Sequence, residues 1–194
     1  MDDLKLDITE VEKSFTRIEV AGAHLGPHLT LWGGRPCAHR VATGDAVFDS
    51  AVEVEVTPGH QAMALALLNH ATRRLISSLV RQHGRQLTLR DGCLRLELRG
   101  SLLEQGPLLT SIVQQCLAVG RGLSLELERL ADALAANART DPHADVRLRN
   151  LETLGVVFRG SPTARGAGAS ALSDGDARIR GVGAALTQGP SVRA

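Results

Sequence analysis

The cleanest alternation in the chain runs over Ala51–Val56, where Val52, Val54 and Val56 fall on one side and Glu53 and Glu55 on the other. Successive side chains leave a strand on opposite faces, so a period of two predicts a half-buried strand. Phe15–Val20 alternates in the same way, with Thr16, Ile18 and Val20 opposite Arg17 and Glu19. His28–Trp32 does so again, with Leu29 and Leu31 on one side and breakers at Gly26-Pro27 and Gly33-Gly34. Asp91-Gly92 suits a two-residue hairpin turn with positive φ. Counting outward from it, Leu89 faces Leu94, Leu87 faces Leu96, Arg90 faces Cys93, Thr88 faces Arg95 and Gln86 faces Glu97. Apolar meets apolar, so the register agrees with the turn.

Elsewhere the period changes to that of a helix. Over Gln61–His83, Leu65, Leu68, Thr72, Leu75, Ile76 and Leu79 form one face. His70, Arg73, Arg74, Ser77, Arg81 and Gln82 form the other, and one long helix is expected. Leu108–Leu123 reads as a second helix, broken near Gly120-Arg121-Gly122. Residues 1–14 lack a pattern and are expected to be a flexible lead-in. The stretch before Ser50 reads as a loop that plugs Phe48 into the core. The order β-β-β-α-β-β-α predicts an α+β domain over 15–124, with an antiparallel sheet of about five strands and helices on one face.

After Ser124 the chain repeats itself. Asp141-Pro142-His143-Ala144-Asp145-Val146-Arg147 recurs as Asp174-Gly175-Asp176-Ala177-Arg178-Ile179-Arg180, at an offset of 33 residues throughout. An alanine-rich helical segment precedes each copy and another follows it. Helix, acidic turn and helix at a fixed spacing is the signature of stacked helical units. Helical hairpins are therefore expected over 125–186. Glycine costs about 1 kcal/mol against alanine inside a helix. The second copy, rich in glycine from Gly160 on, is accordingly expected to be degenerate and frayed, with a disordered tail over 187–194.

The pattern helix–Asp-Pro-x-x-x-Val-Arg–helix resembles a short HEAT-type repeat, over about 60 residues. In that family an aspartate stands in the turn and an arginine six residues later, matching Asp141 with Arg147 and Asp174 with Arg180. The resemblance implies a ladder linking these four residues across the stack. Gly44-Asp45 before Phe48-Asp49, the long helix, the hairpin and Asp141 through Leu154 together resemble bacterial HEAT-like repeat proteins in which an α+β module precedes the repeats. No activity comes with that resemblance.

Composition narrows the function classes. The chain has 194 residues, 43% of them hydrophobic and 22% charged, with a formal net charge of +1. A dedicated nucleic-acid binder is usually strongly basic, so that class is disfavoured. Aromatic residues make up only 2%, too few for a base-stacking surface. Cys37, Cys93 and Cys116 form no C-x-x-C pair, which fits a reducing, cytoplasmic location. The charged start is not a signal peptide, and no run of about 18 apolar residues could span a membrane.

Candidate chemistry is thin. His24, His28, Cys37 and His39 are poorly spaced for a metal, since Gly26-Pro27 forbids a helix between the first two. Asp45 and Asp49 read as loop caps. Ser77-Ser78 lie in no nucleophile elbow, and no phosphate-binding glycine loop occurs. Between His70 and Gly100 there are seven arginines against Asp91 and Glu97. Arg73, Arg74 and Arg81 are thus candidates for an anion-binding face. No catalytic residue, metal or cofactor is expected. The expected function is a non-enzymatic scaffold that presents a HEAT-like helical surface to another protein. The alternative is an anion-binding module whose arginine face meets a phosphorylated partner, nucleic acid or an anionic membrane surface.

Overall fold

The computed structural model describes residues 4–11, 14–26, 28–32, 40–83 and 86–188. Six strands appear among them: β1 (Lys5–Val11), β2 (Phe15–Ala21), β3 (Leu29–Trp32), β4 (Glu53–Val56), β5 (Leu87–Arg90) and β6 (Cys93–Arg99). They form one antiparallel sheet in the order β1-β2-β6-β5-β3-β4. The β5–β6 hairpin has the expected register, Leu89 opposite Leu94 and Leu87 opposite Leu96. Its turn places Asp91 at φ 51 and Gly92 at φ 73.

Strand β1 replaces the lead-in expected over 1–14. Its side chains are largely exposed, and the alternation of Leu6 and Ile8 with Lys5, Asp7 and Thr9 is short among polar residues. It is held by backbone pairing, with Leu6 opposite Val20 and Ile8 opposite Ile18, and by Ile8, which packs half-buried against the core. Charged residues such as Lys5, Asp7 and Glu10 suit a strand at a sheet edge, where they discourage pairing with other chains.

Four helices belong to the sheet layer: α1 (Ala46–Ala51), α2 (Gln61–Leu67), α3 (His70–His83) and α4 (Gly106–Gly122). The inward faces of the strands, such as Ile18, Val20, Leu31, Val54, Leu89 and Leu96, pack on Ile76, Leu79, Ile112, Cys116 and Val119. The outward face is polar and carries the ion pairs Arg17–Glu97 at 2.8 Å and Arg95–Glu19 at 2.6 Å. Phe48 is buried as expected, but from a helix, α1, and not from a loop. Helix α4 runs unbroken through Gly120, because one glycine's helix penalty is small beside the burial of that face.

The single helix expected over Gln61–His83 is two. Asn137 Nδ2 donates to Leu65 O at 3.0 Å and Ala66 O at 3.1 Å, which satisfies the end of α2. Asn69 Oδ1 then accepts from Thr72 N at 3.0 Å and opens α3 as an N-cap. The periodicity passes through the break because both helices bury their apolar faces against neighbouring structure.

Beyond Ser124 come α5 (Leu130–Thr140), α6 (Ala144–Val157), α7 (Pro162–Ala171) and α8 (Ala177–Gln188). They form two helical hairpins, α5–α6 and α7–α8, stacked on each other and on α2. Ala62, Leu65 and Ala66 of α2 share one buried cluster with Leu134, Leu154 and Ala164. The boundary expected at 124/125 therefore runs through a common core. The glycine-rich copy is helical throughout α7 and α8. Gly168 and Gly183 meet where these helices cross, and a Cβ on Gly183 would lie 2.7 Å from Gly168 O. Most of the expected tail, from Gly189 on, lies outside the described residues.

Candidate functional site

The site is built around Arg73, the fourth residue of α3. Its side chain is 1% exposed, which burial of a guanidinium permits only if its donors are used. Nε donates to Asp45 Oδ2 at 3.0 Å, Nη1 to Leu68 O at 2.7 Å and Nη2 to Asp141 Oδ1 at 3.1 Å. The three partners come from three places: the N-cap of α1, the end of α2 and the α5–α6 turn. One cation thus ties the sheet layer to the helix stack.

Local structure delivers each carboxylate. Asp45 N-caps α1, and its Oδ1 accepts from Phe48 N at 3.2 Å, which leaves Oδ2 for Arg73. Asp49 braces the loop by accepting from Thr43 N at 3.0 Å and Gly44 N at 3.1 Å. Gly44 has φ +96 and sits so close to α6 that a Cβ would lie 2.8 Å from the Asp145 carbonyl carbon. This contact lays the Asp45 loop against the first turn of α6. Asp141 Oδ1 also accepts from His143 N at 3.0 Å, an Asx turn that fixes the carboxylate in its own loop.

Burial would raise the Asp45 carboxyl. The Phe48 N–H, the Arg73 hydrogen bond and the charges of His143 and Arg73 together outweigh it and hold the group below the ordinary aspartate range. Two carboxylates thus share one guanidinium. His143 stands at the rim, with Nδ1 at 3.4 Å from both Arg73 Nη2 and Asp141 Oδ1 and at 3.8 Å from Asp45 Oδ2. His70, the first residue of α3, lies behind it with ring centroids 5.8 Å apart. His70, Asp141 and His143 are the described residues whose donor atoms come close enough together to hold a metal ion.

The repeat residues meet in part. Arg147 Nε and Nη2 donate to Asp174 Oδ2 at 2.8 Å and Oδ1 at 2.9 Å, a bidentate pair across the two hairpins. Nη1 of Arg147 donates to Asp141 O at 2.9 Å and Pro142 O at 3.2 Å. Arg180 repeats that last contact, donating to Asp174 O at 2.8 Å and Gly175 O at 3.0 Å. The carboxylate of Asp141 goes to Arg73, not to Arg180. Arg73, Arg147 and Arg180 are each the fourth residue of their helix. The first two each pair with the turn aspartate of the next hairpin. Helix α3 therefore supplies the arginine of this pattern, while α2 is the helix that packs on α5 and α6.

The anion-binding candidates do not share a face. Arg73 is buried and saturated, whereas Arg74 and Arg81 are exposed. Helical periodicity put Arg73 on the polar side because it reads only one partner surface, and α3 has a second one in Asp45 and Asp141. The turn before α3 lacks the Asp-Pro signature, having Leu68-Asn69 in its place, so repeat matching could not draw Arg73 into the pattern. The signal available was an arginine at the fourth position of a helix. Of the histidine–cysteine group, Cys37 and His39 lie outside the described residues, His24 is exposed, and His28 stacks on His60 at 3.8 Å. Cys116 is buried in the core, and burial pushes its thiol up to about 12, so it is no nucleophile near neutral pH.

The geometry defines an α+β protein with an ion-paired helix stack, and comparison adds nothing more specific: no family model, curated protein or solved structure matches the chain. No helix among the described residues is long and apolar enough to cross a membrane.

Proposed function

We propose that the protein is a non-enzymatic interaction protein whose HEAT-like helical stack binds another protein. The observation that carries this reading is the pair Val156 and Val157, 81% and 54% exposed in the last turn of α6. Single exposed apolar residues are ordinary, but adjacent ones on a rigid stack invite a cover. Leu127, 66% exposed just before α5, belongs to the same end, where Thr163 of α7 bonds Asp132 of α5. The arginine-face alternative loses Arg73 to the interior.

The test compares partners captured from the source cell by the wild-type chain and by the double variant Val156→Asp, Val157→Asp. Both positions are solvent-facing, so the unfolding midpoint should be unchanged within about 0.5 kcal/mol. Specific partners should be lost. Capture of the same partners by the double variant would defeat the reading.

A further inference from the structure

Asp45 and Asp141 are both buried, and Arg73 is the one guanidinium between them. With His143 neutral, charge does not balance and one carboxylate is left without a full counter-charge; a proton on His143, 3.4 Å from Asp141 and 3.8 Å from Asp45, or a metal ion would supply it. Beside this surplus stand two imidazoles. His70 Nδ1 is shut off from water and has no hydrogen-bond partner. Asp141 Oδ2 also lacks a hydrogen bond, although Arg73 Nη2 is in ion-pair contact with it at 3.0 Å. Buried polar atoms of this kind are uncommon and call for an explanation.

We propose that the protein binds one divalent transition-metal ion of the zinc class between His70, Asp141 and His143. One ring nitrogen of each histidine and one oxygen of Asp141 lie within 4.8 Å of one another. Four-coordinate metal–ligand bonds of about 2.1 Å place ligand atoms about 3.4 Å apart, so the cluster must close by up to about 1.4 Å. His143 can supply that movement, because its side chain is 43% exposed and its ring is held by contacts of 3.4 Å or longer. With its proton on Nε2, His143 presents a lone pair at Nδ1 toward Asp141.

Two features oppose a cation, and magnitudes decide between them. Arg73 is positive, but one of the two carboxylates already matches it. The amino end of α3 adds about half a positive charge, while the surplus carboxylate is a whole negative one. The donor set, two imidazoles and one carboxylate, selects zinc-like ions over calcium or magnesium, which prefer oxygen ligands. Three protein ligands leave a fourth position open to water. Ligands from α3 and from the α5–α6 turn would make the ion a second clasp across the junction that Arg73 spans.

The probe is the metal alone, added to the full chain stripped with a chelator. Zinc should bind at one ion per chain and raise the thermal midpoint. Cobalt(II) in its place should give the visible absorption bands of a low-coordinate nitrogen–oxygen site. His143→Ala should weaken binding at least about tenfold, since even outer-shell changes cost that much. His70→Gln should do the same, and circular dichroism checks that each variant folds. His24→Ala, at an exposed histidine remote from the cluster, should bind as wild type does. Acidification through the histidine range should release the ion, because protons compete for both rings. Absence of binding to the wild-type chain overturns the proposal. Binding that survives loss of both His70 and His143, or that depends on His24, overturns it as well. If His70→Gln fails to fold, the rim variant His143→Ala decides the question alone.

Discussion

A buried guanidinium contributes little net stability, because the attraction of its partners is offset by the cost of removing all of them from water. Removing it is another matter. Arg73→Ala would leave Asp45 and Asp141 buried without their cation and Leu68 O without its donor. A loss of about 3–5 kcal/mol is expected, read from the urea unfolding midpoint. A loss under about 1 kcal/mol would show that water reaches the cluster and that the hub is not a hub. The aspartates also set the response to acid. The hydrogen bond from Arg147 holds the Asp174 carboxyl below its ordinary value, and Asp45 is lowered too. A lowered carboxyl contributes stability that is complete above its unfolded value, near 3.9, and is lost as pH falls through the folded one. In the metal-free chain, the aspartate contribution to the thermal midpoint should therefore be complete down to about pH 5 and lost below about 4, beneath any earlier decline from protonating half-buried His83. Asp174→Asn should start lower and fall less steeply. A wild-type midpoint that rises on acidification would reverse the sign of the argument.

Elements were legible where one surface decides their pattern. The hairpin around Asp91-Gly92 and the strand Glu53–Val56 each bury one face only, and alternation recorded it. Strand β1 was missed because its side chains are mostly exposed and only the short alternation of Leu6 and Ile8 marks it. The break between α2 and α3 was hidden because Asn137, a residue from another helix, supplies the end of α2. The glycines of the last hairpin illustrate the same limit. Propensity counts every one as a cost, but packing separates them. Gly166 and Gly181 face open space, and alanine there should stabilise by about 0.5–1 kcal/mol. A Cβ on Gly168 would lie 2.7 Å from Leu186 Cβ, and one on Gly183 would strike Gly168 O. Alanine at either should destabilise, because the helix crossing must open. Four thermal midpoints, all moving in one direction, would show that helix propensity alone governs this end. The ladder can be tested in the same way. Arg147 and Asp174 share a bidentate bond, so a double-mutant cycle between them should give a coupling of about 1 kcal/mol. The cycle between Asp141 and Arg180 should be additive, since Arg180 spends its contacts on backbone carbonyls of its own turn.

For the whole molecule, the offset of 33 residues revealed the two hairpins of the helix stack but not α2, the helix they rest on. Helix α2 buries Met63, Ala64 and Leu67 in the sheet core and Ala62, Leu65 and Ala66 in the stack, so one helix serves both parts. The consequence is a fold that cannot be divided where its composition changes. A chain ending at Ser124 would expose Ala62, Leu65 and Ala66 to water and would strand Arg73 and Asp45 without Asp141. A chain ending at Gly160 would keep that junction apart from Ala164 and lose the Arg147–Asp174 pair and the cluster of Ala138, Leu151, Ala171 and Ile179. Burial of a few aliphatic side chains is worth roughly 1.5–3 kcal/mol each, so the longer truncation product should fold with reduced stability. The shorter one loses comparable apolar burial and in addition breaks a buried ion cluster, at about 3–5 kcal/mol. It should therefore be unfolded or molten, with weak near-ultraviolet dichroism and no cooperative thermal transition. The full chain should melt in a single step. Independent, cooperative folding of 1–124 would mean that the sheet layer needs nothing from the stack, and Arg73 would then be an ornament of the junction and not what joins it.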